Sequence, residues 1–361
     1  MAAVSALLAL KDGQPIPMAP YADFSHLSAA PRIADLRITI IDERDGFFYT
    51  VGSPLAYSSP VHSAAMWRLY RGFPTLNRPD VNFVRGTVVR VKPLNQTLVY
   101  QIHKGDSRST EMRAYVDDAG NAARRLVAAK KSGIVIIGDG AVEIEFAGKL
   151  KSQYSMTRVT LIHARDHLLS KEPVPVEFKS RVLQLLREQG VNVILQERPI
   201  VEDLSDGTSY VKFDNGDRIH AAVVIMAVAS ISPSSGQQVT SGPSLFGRIY
   251  AAGDLVHITG IKLGGNAMVM GSVAAANIYS SLLSNPRRRT CPPFSAHMAI
   301  SIGQSMALWR GGANSELYHG EALAESFFGH DLGWQRILNS LALEDYEHPR
   351  SENQGDSLRQ E

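Results

Sequence analysis

Cysteine is almost absent from this sequence: Cys291 is the single cysteine among 361 residues. One thiol cannot form an intrachain disulfide framework, a Cys-x-x-Cys motif or a more widely spaced dithiol. Electron exchange through a pair of the chain's own thiols is therefore excluded.

Neither sign of charge dominates, because 37 Lys and Arg residues face 35 Asp and Glu residues, for a formal net charge of +2. The chain thus has no basic field for nucleic acid, and none is expected as a partner. The run Arg287 to Arg289 is interpreted as a solvated linker.

Long apolar runs are also missing. No window approaches the length of a membrane-spanning helix. The apolar start Met1 to Leu10 lacks the basic residues of a secretory signal, so it is predicted to be a frayed or packed N-terminus.

Metal-binding and hydrolase motifs are missing as well. The 11 histidines include no His-Glu-x-x-His pair and no Cys/His cluster, and no G-x-S-x-G elbow occurs. No metal site is predicted, and no catalytic side chain can be named.

The most informative segment present is VIIGDGAVEIEFAGKL, from Val135 to Leu150. Aliphatic residues typical of a strand run into Gly138 and Gly140, and apolar residues at helical spacing follow. Such a turn places helix N-terminal amides against a dinucleotide pyrophosphate. Glu143 stands where the fingerprint has a third glycine. An ordinary strand-turn-helix is the alternative.

Two further strands end in residues suited to a nucleotide. Leu36 to Ile41 ends at Asp42, which is placed to accept hydrogen bonds from a ribose, although a solvated acidic turn is the alternative. Arg158 to Ile162 is followed by His163 and Arg165. An arginine there suits a 2'-phosphate, so NADPH is considered and NADH is not excluded.

A second nucleotide signal comes later. Arg248 to Asp254 is predicted to be a buried strand ending in Gly-Asp, and a long helix rich in small residues is predicted from Gly264. In a flavin-binding sheet the aspartate holds ribityl or pyrophosphate-linked hydroxyls, and the helix N-terminus faces the flavin ring. A capping aspartate and a closely packed structural helix are the alternative.

The remaining patterns predict further strands, a helix and a hairpin. They are strands at Val81–Val91, Thr97–Ile102, Val191–Leu195 and Ala221–Ala229, a helix at Phe178–Gln189, and a hairpin around Asp214, Asn215 and Gly216.

The segments IIDERDGFFYTVGSPLAY, VIIGDGAVEIEFAGKL with RVTLIHARDHLLSKEP, and IYAAGDLVHITGIKLGGNAMVMGSVAAANI resemble the apoptosis-inducing-factor-like and ferroptosis-suppressor-like FAD-dependent NAD(P)H oxidoreductases, especially their fungal members. The later SAHMAISIGQSMALW and ESFFGHDLGW also resemble that family. The resemblance extends from about Leu36 to Leu343.

This resemblance implies an α/β fold with two Rossmann-like dinucleotide-binding domains, the second inserted in the first, plus a C-terminal α+β segment. The implied boundaries are 1–104 and 221–288 for a split FAD domain, 105–220 for the NAD(P)H domain, and 289–361 for a C-terminal segment with a disordered tail. The implied activity moves hydride from NAD(P)H through FAD to a quinone or quinone-like small metabolite, with secondary metabolism as one setting.

The residues expected to bind the two cofactors follow from the same resemblance. For FAD they are Asp42, Arg44, Val88, Asp254, Lys262, Gly264, Gly265 and Asn266. For NAD(P)H they are Gly138, Gly140, Glu145, His163 and Arg165. Glu145 is expected at the nicotinamide ribose, with a solvated helix carboxylate as the alternative.

Several family features are missing. Residues 1–35 contain no G-x-G-x-x-G turn, the region from Gln101 to Lys131 contains no Ala-Thr-Gly, and Ala229 replaces a glycine. Either the coding sequence is incomplete or this member has shed nucleotide-binding machinery. A non-redox descendant that binds a small molecule or a protein is the alternative function.

The expected partners are a small-molecule electron acceptor and, at most, a second copy in a homodimer. The expected location is the cytoplasm, with a membrane or mitochondrial surface as the alternative. Phe294, Met298, Ile302, Met306 and Trp309 fit one stripe of a helix, which predicts either peripheral membrane contact or core packing.

Overall fold

A computed structural model describes residues 1–17, 27, 31–92, 95–103, 121, 132–138, 140–226, 249–256, 260–284 and 289–343. Three predicted features lie outside these residues: most of the domain junction at 105–131, the turn at 227–229 and the disordered tail beyond 343.

The described residues include eight helices. They are α1 (Ala2–Asp12), α2 (Ser53–Ser58), α3 (Pro60–Ala65), α4 (Ala141–Gln153), α5 (Val176–Glu188), α6 (Gly264–Leu282), α7 (Glu321–Phe328) and α8 (Trp334–Ser340).

The described strands form five small sheets. The strands are β1 (Ile38–Asp42), β2 (Gly46–Phe48), β3 (Trp67–Leu69), β4 (Val81–Lys92), β5 (Thr97–Ile102), β6 (Ile134–Ile137), β7 (Val159–Ile162), β8 (Asn192–Ile194), β9 (Ile200–Asp203), β10 (Ser209–Lys212), β11 (Arg218–Ala221), β12 (Val223–Met226), β13 (His297–Ile302), β14 (Ser305–Arg310) and β15 (Glu316–His319).

The strand before Gly138, β6, belongs to a four-stranded parallel sheet with the order β12-β6-β7-β8. Helix α4 connects β6 to β7, and α5 connects β7 to β8. This order is that of half a doubly wound sheet, whose ligands bind at the carboxyl ends of the strands. The predicted strand-turn-helix at Val135 to Leu150 is therefore confirmed.

A second sheet has the order β1-β4-β5, with β1 parallel to β4 and β4 antiparallel to β5. Helix α1 lies along α6, so the apolar N-terminus is packed rather than frayed. A methyl group on Gly271 of α6 would lie 3.0 Å from Cβ of Ala2. The absence of a side chain at Gly271 therefore allows α1 and α6 to pack closely.

The stripe predicted as a helix from Phe294 to Trp309 is wrong in its secondary structure. These residues include β13 and β14, which pair antiparallel around a turn at Gly303. Met298, Ile302, Met306 and Trp309 are buried. The stripe is core, and the amphipathic helix proposed for membrane contact does not exist.

The strand predicted at Arg248 to Asp254 is also wrong for the described residues 249–254. Ile249 to Ala252 pair with no described strand, and Gly253–Leu255 form a 3-10 turn. A strand needs a partner for its amides and carbonyls, and sequence periodicity does not supply one.

Candidate functional site

The first site residue, Asp42, lies at the carboxyl end of β1. Its Oδ2 accepts a hydrogen bond from the Tyr70 hydroxyl at 2.8 Å, and its Oδ1 accepts one from the Arg44 amide at 2.9 Å. The Arg44 guanidinium is 3.8 Å away, and 27% of the Asp42 side chain stays exposed. The carboxylate is thus fixed in direction but retains accepting capacity for a ribose hydroxyl.

Val88 lies on β4, the strand that pairs with β1. Asp42 is opposite Arg85, so Val88 is three residues further along β4, and its side chain is 41% exposed. The structure therefore places Asp42, Arg44 and Val88 around one parallel strand pair.

The residues predicted at the flavin end gather at the start of α6. Lys262 Nζ donates to the carbonyl of Asp254 at 2.8 Å. Methyl groups at Gly264 and Gly265 would meet no atom within 4 Å, whereas Asn266 is buried. This helix start is positively polarised and open on its glycine face, so it can receive an uncharged flat ring or its polar linker.

The glycine turn between β6 and α4 has the predicted shape. Gly138 has φ of +150°, and its amide donates to Ile162 at 3.1 Å. Gly140 is the N-cap residue of α4. The buried side chain of Glu143 lies across both glycines, since its Oε2 is 2.8 Å from where a Gly140 methyl would be.

His163 and Arg165 follow β7, the neighbour of β6, so they lie at the same edge of the sheet as the glycine turn. The backbone of His163 is tied to β8, because its amide donates to the Ile194 carbonyl at 2.9 Å. The His163 side chain is buried, and Arg165 is exposed. Arg165 is therefore the one of the two that can reach a phosphate in solvent.

Glu145 lies one turn into α4 and faces the C-terminal sheet. Its Oε1 accepts a hydrogen bond from the Ser301 amide at 3.1 Å. Burial raises the pKa of Glu145 to about 7, against the opposing effects of the Ser301 hydrogen bond and the Lys149 charge. Burial also lowers the pKa of Lys149. Glu145 can therefore hold a proton near neutral pH.

Sequence reasoning missed two titratable groups, Tyr49 and His62, whose pKa values respond to Glu145 and to Lys149 respectively. Burial and then the charge of Asp331 raise the pKa of Tyr49, with Glu145 contributing further. Burial and then the charge of His330 lower the pKa of His62. The one available signal was the Glu145–Lys149 spacing of four residues, which puts both on one helix face.

A cleft of about 490 Å³ opens beside this group. Its lining includes Lys149, Ser301 and His330 together with the apolar side chains of Leu55 and Phe328. Its volume lies within the range of small-molecule sites. Its lining is mostly polar, with Leu55 and Phe328 as the large apolar side chains.

The two helix starts are linked through one apolar cluster. Ala141, the first residue of α4, and Ile261, which precedes Lys262, both pack against it. Tyr57 of α2 meets Phe146 of α4 edge-on at 6.0 Å, and the Tyr154 hydroxyl donates to Ser58 at 2.7 Å. The segments before α6 and at the start of α4 thus border the same apolar core.

None of the helices within the described ranges is long and apolar enough to span a membrane. In the same part of the chain, no three His, Cys, Asp or Glu side chains are grouped as metal ligands.

Comparison with known proteins matches residues 95–271 to the pyridine nucleotide-disulphide oxidoreductase family. The chain is 33% identical to "Oxidoreductase OXR1" of Ajellomyces capsulatus, over 85% of this chain and 77% of that protein. It is 22% identical to human "Ferroptosis suppressor protein 1", over 88% of this chain and 94% of that one.

Among solved structures, the sulfide:quinone oxidoreductase of Aquifex aeolicus has the same fold, with a TM-score of 0.60 at 14% identity over 94% of this chain and 89% of that chain. A ferredoxin reductase of Rhodopseudomonas palustris gives a TM-score of 0.56 at 13% identity over 86% and 80%. The fold is thus the expected α/β fold with Rossmann-like dinucleotide-binding units. The chain belongs to the pyridine nucleotide-disulphide oxidoreductase family and is an FAD-dependent NAD(P)H oxidoreductase.

Proposed function

We propose that this protein oxidises NAD(P)H and passes the two electrons through FAD to a quinone or quinone-like small molecule. The proposal rests on the glycine turn before α4 and the open glycine start of α6, which both border one apolar core through Ala141 and Ile261. Bound FAD would supply the capacity to take up a hydride and to release its electrons to an acceptor.

FAD would be held by the residues around β1 and the start of α6. Asp42 is oriented by Tyr70 and Arg44 for a ribose, and the open face of Gly264 and Gly265 gives room for the flavin end. The side chain of Lys262 is fixed on the Asp254 carbonyl, which keeps the loop before α6 in place. These residues fit the cofactor that the family uses.

NAD(P)H would be held at the Gly138–Gly140 turn, with Arg165 at the adjacent strand end. The turn fits a pyrophosphate in its backbone, but the Glu143 carboxylate lies against it. Binding therefore includes movement of that side chain.

The acceptor would occupy the cleft between α4 and α7. The Aquifex protein is named as a sulfide:quinone oxidoreductase, which is a property of that enzyme. For this chain, the residues that line the cleft support a similar acceptor. Leu55 and Phe328 offer apolar contact to a ring, and Lys149 and His330 can donate to its oxygens. Reduction to the hydroquinone consumes one hydride and one proton. Glu145, whose carboxyl accepts a hydrogen bond from the amide of the cleft residue Ser301, can hold a proton near pH 7.

A direct test uses purified protein with FAD under anaerobic conditions. We expect a yellow protein whose flavin absorbance is bleached by NADH or NADPH and restored by a water-soluble quinone, with one hydroquinone formed per nucleotide oxidised. A protein that takes up no FAD, or a bleached flavin that the quinone does not restore, would contradict the proposal.

The location and role in the cell are a further proposal. The names of the relatives are the only information on them that the comparisons give. The human relative is named for suppression of ferroptosis, and the fungal one is named only as an oxidoreductase. We propose a cytoplasmic protein, either monomer or homodimer, whose acceptor is a diffusible metabolite. Cell fractionation with and without high salt would separate this location from a membrane surface.

A further inference from the structure

Glu143 replaces a small residue at a place where a dinucleotide fold needs one. The third glycine of the fingerprint allows close packing of helix against strand, and the second allows the backbone to approach the pyrophosphate. Here the third position carries a carboxylate that is only 5% exposed. A buried charge at such a position is held by specific interactions rather than tolerated as a surface residue.

The direction of the Glu143 side chain is the key observation. Its Cγ is 2.6 Å from where a methyl on Gly138 would lie, and its Oε2 is 2.8 Å from where one on Gly140 would lie. The space that a side chain at Gly140 would fill is the space through which a phosphate approaches the backbone. The carboxylate therefore stands where a phosphate oxygen would stand.

Helix geometry explains why the carboxylate stays there. Gly140 is the N-cap of α4, so Glu143 is the third residue of the helix, and no side chain of the N-cap residue satisfies the first amides. A glutamate at this third position reaches back toward the N-cap, and a negative charge in the first turn is stabilised by the helix dipole. Glu143 thus provides the anion that the helix start favours.

We infer that Glu143 is an internal stand-in for phosphate, which NAD(P)H must displace to bind, so that this residue sets the affinity for the nicotinamide nucleotide. This inference rests on the proposed NAD(P)H site at the Gly138 turn. Two negative groups cannot share the turn, since like charges a few ångströms apart repel strongly at a partly buried site.

The FAD side provides an internal contrast. The first turn of α6 contains no acidic residue, and its glycines face open space. A charge change at Glu143 is therefore expected to alter binding at α4 and to leave FAD binding at α6 unchanged.

The experiment measures binding of ADP-ribose to the FAD-loaded protein by calorimetry. This probe carries the pyrophosphate without the nicotinamide, so no turnover occurs. The proteins are wild type, Glu143→Gln, which removes the charge and keeps the size, and Glu143→Gly, which restores the fingerprint. Glu177→Gln is the matched control, because Glu177 is an exposed carboxylate in the first turn of α5.

We expect Glu143→Gly to bind ADP-ribose at least about tenfold more tightly than wild type, and Glu143→Gln to show a smaller gain. Glu177→Gln should bind as wild type does, and FAD affinity should be equal in all four proteins. Thermal unfolding identifies any variant that fails to fold, and if Glu143→Gly fails, Glu143→Gln decides.

Unchanged or weaker ADP-ribose binding by a folded Glu143→Gln and Glu143→Gly overturns the inference. If wild-type flavin is still bleached by NAD(P)H in that case, the proposed function stands. If no protein binds ADP-ribose and none is bleached, both fall together.

Discussion

The backbone amide of Ser301 donates to Oε1 of Glu145 at 3.1 Å, which joins helix α4 to the first strand of the C-terminal sheet. The carboxyl group is therefore bound by a neutral donor in a site that burial makes unfavourable for charge. Burial raises the pKa of Glu145 from its ordinary value of 4.5 to about 7, although the Ser301 hydrogen bond and the Lys149 charge act to lower it.

Glu145→Gln should remove a pH dependence of stability. Because the native state holds this proton more tightly than the unfolded chain, the Glu145 contribution is full below about pH 4.5 and is lost as pH rises through 7. Relative to wild type, the variant should gain roughly 2 kcal/mol of unfolding free energy between pH 5 and pH 8. Urea unfolding at both pH values measures it, with Glu177→Gln as the exposed control. An equal change in unfolding free energy between pH 5 and pH 8 for the variant and wild type would contradict the prediction.

Gly148→Ala should destabilise the protein. A methyl at Gly148 of α4 would lie 2.5 Å from the Gly303 amide nitrogen and 3.0 Å from the Ile302 backbone. Backbone atoms of a hairpin cannot yield as a flexible side chain can, so a loss of about 1–3 kcal/mol is expected. Gly264→Ala, which faces open space, is the control for glycine replacement in a helix, and equal melting temperatures for the two variants would refute the clash.

Gly265→Ala should separate folding from FAD binding. The added methyl meets no atom within 4 Å, and alanine favours the helix, so the apoprotein should melt at the same or a higher temperature. The methyl would enter the space proposed for the flavin, so FAD affinity should fall about tenfold. Leu282→Ala, at the exposed far end of α6, should leave FAD affinity unchanged. Unaltered FAD binding by Gly265→Ala would place the flavin elsewhere.

His330→Ala should weaken acceptor use alone. His330 lines the cleft proposed for the quinone, and loss of one hydrogen-bond donor there should raise the KM for a soluble quinone about fivefold. The affinity for ADP-ribose should not change. His319→Ala, an exposed histidine on β15, is the matched control. A quinone KM equal in both variants would remove the acceptor from this cleft.

Asp80→Ala should destabilise the contact of α1 with β4. Asp80 accepts hydrogen bonds from Lys11 and from Arg78, which also pairs with Asp12. Removing Asp80 leaves two partly buried cations without this partner, at a cost of roughly 2–3 kcal/mol at pH 7. Asp35→Ala removes an exposed carboxylate as the control.

The same ion-pair group predicts an acid response. The Arg78 hydrogen bond holds the pKa of Asp80 well below its usual range. Its contribution is therefore present above the ordinary aspartate pKa and is lost as pH falls below it. The stability difference between wild type and Asp80→Ala should shrink from pH 5 to pH 2.

The parts of the fold that could be predicted are those fixed by local pattern. The strand before Gly138 and the helix after it follow from aliphatic residues and helical spacing within one window, and both are present. The hairpin at Gly216 was predicted because its turn needs a positive φ, and Gly216 has φ of +88°.

The helix predicted from Phe294 to Trp309 was wrong because the apolar residues there fit both the helical period and the alternation of a strand. Met298 and Ile302 are four residues apart, as on a helix face, yet both also fall on the buried face of β13 in alternation. The decisive signal was Gly303, whose φ of +62° makes the tight turn to β14. A two-residue loop containing glycine favours a hairpin over a continuous helix.

The turns that carry the expected cofactor residues were predictable, but the group around Glu145 was not. His62 and His330 come from distant parts of the chain, yet the charge of His330 lowers the pKa of His62 in the folded protein. No single sequence window contains both residues. The burial that shifts the Glu145 pKa likewise arises from tertiary packing.

The C-terminal hairpin of β13 and β14 forms part of the hydrophobic core that packs against α4. Met298, Ile300 and Ile302 pack in one cluster with Ile144 and Phe146 of α4. A protease cut that removed β13 and β14 would leave these aliphatic and aromatic surfaces bare beside the glycine turn. The trimmed fragment should aggregate, so limited digestion is expected to destroy nucleotide binding in one step instead of releasing a smaller working unit.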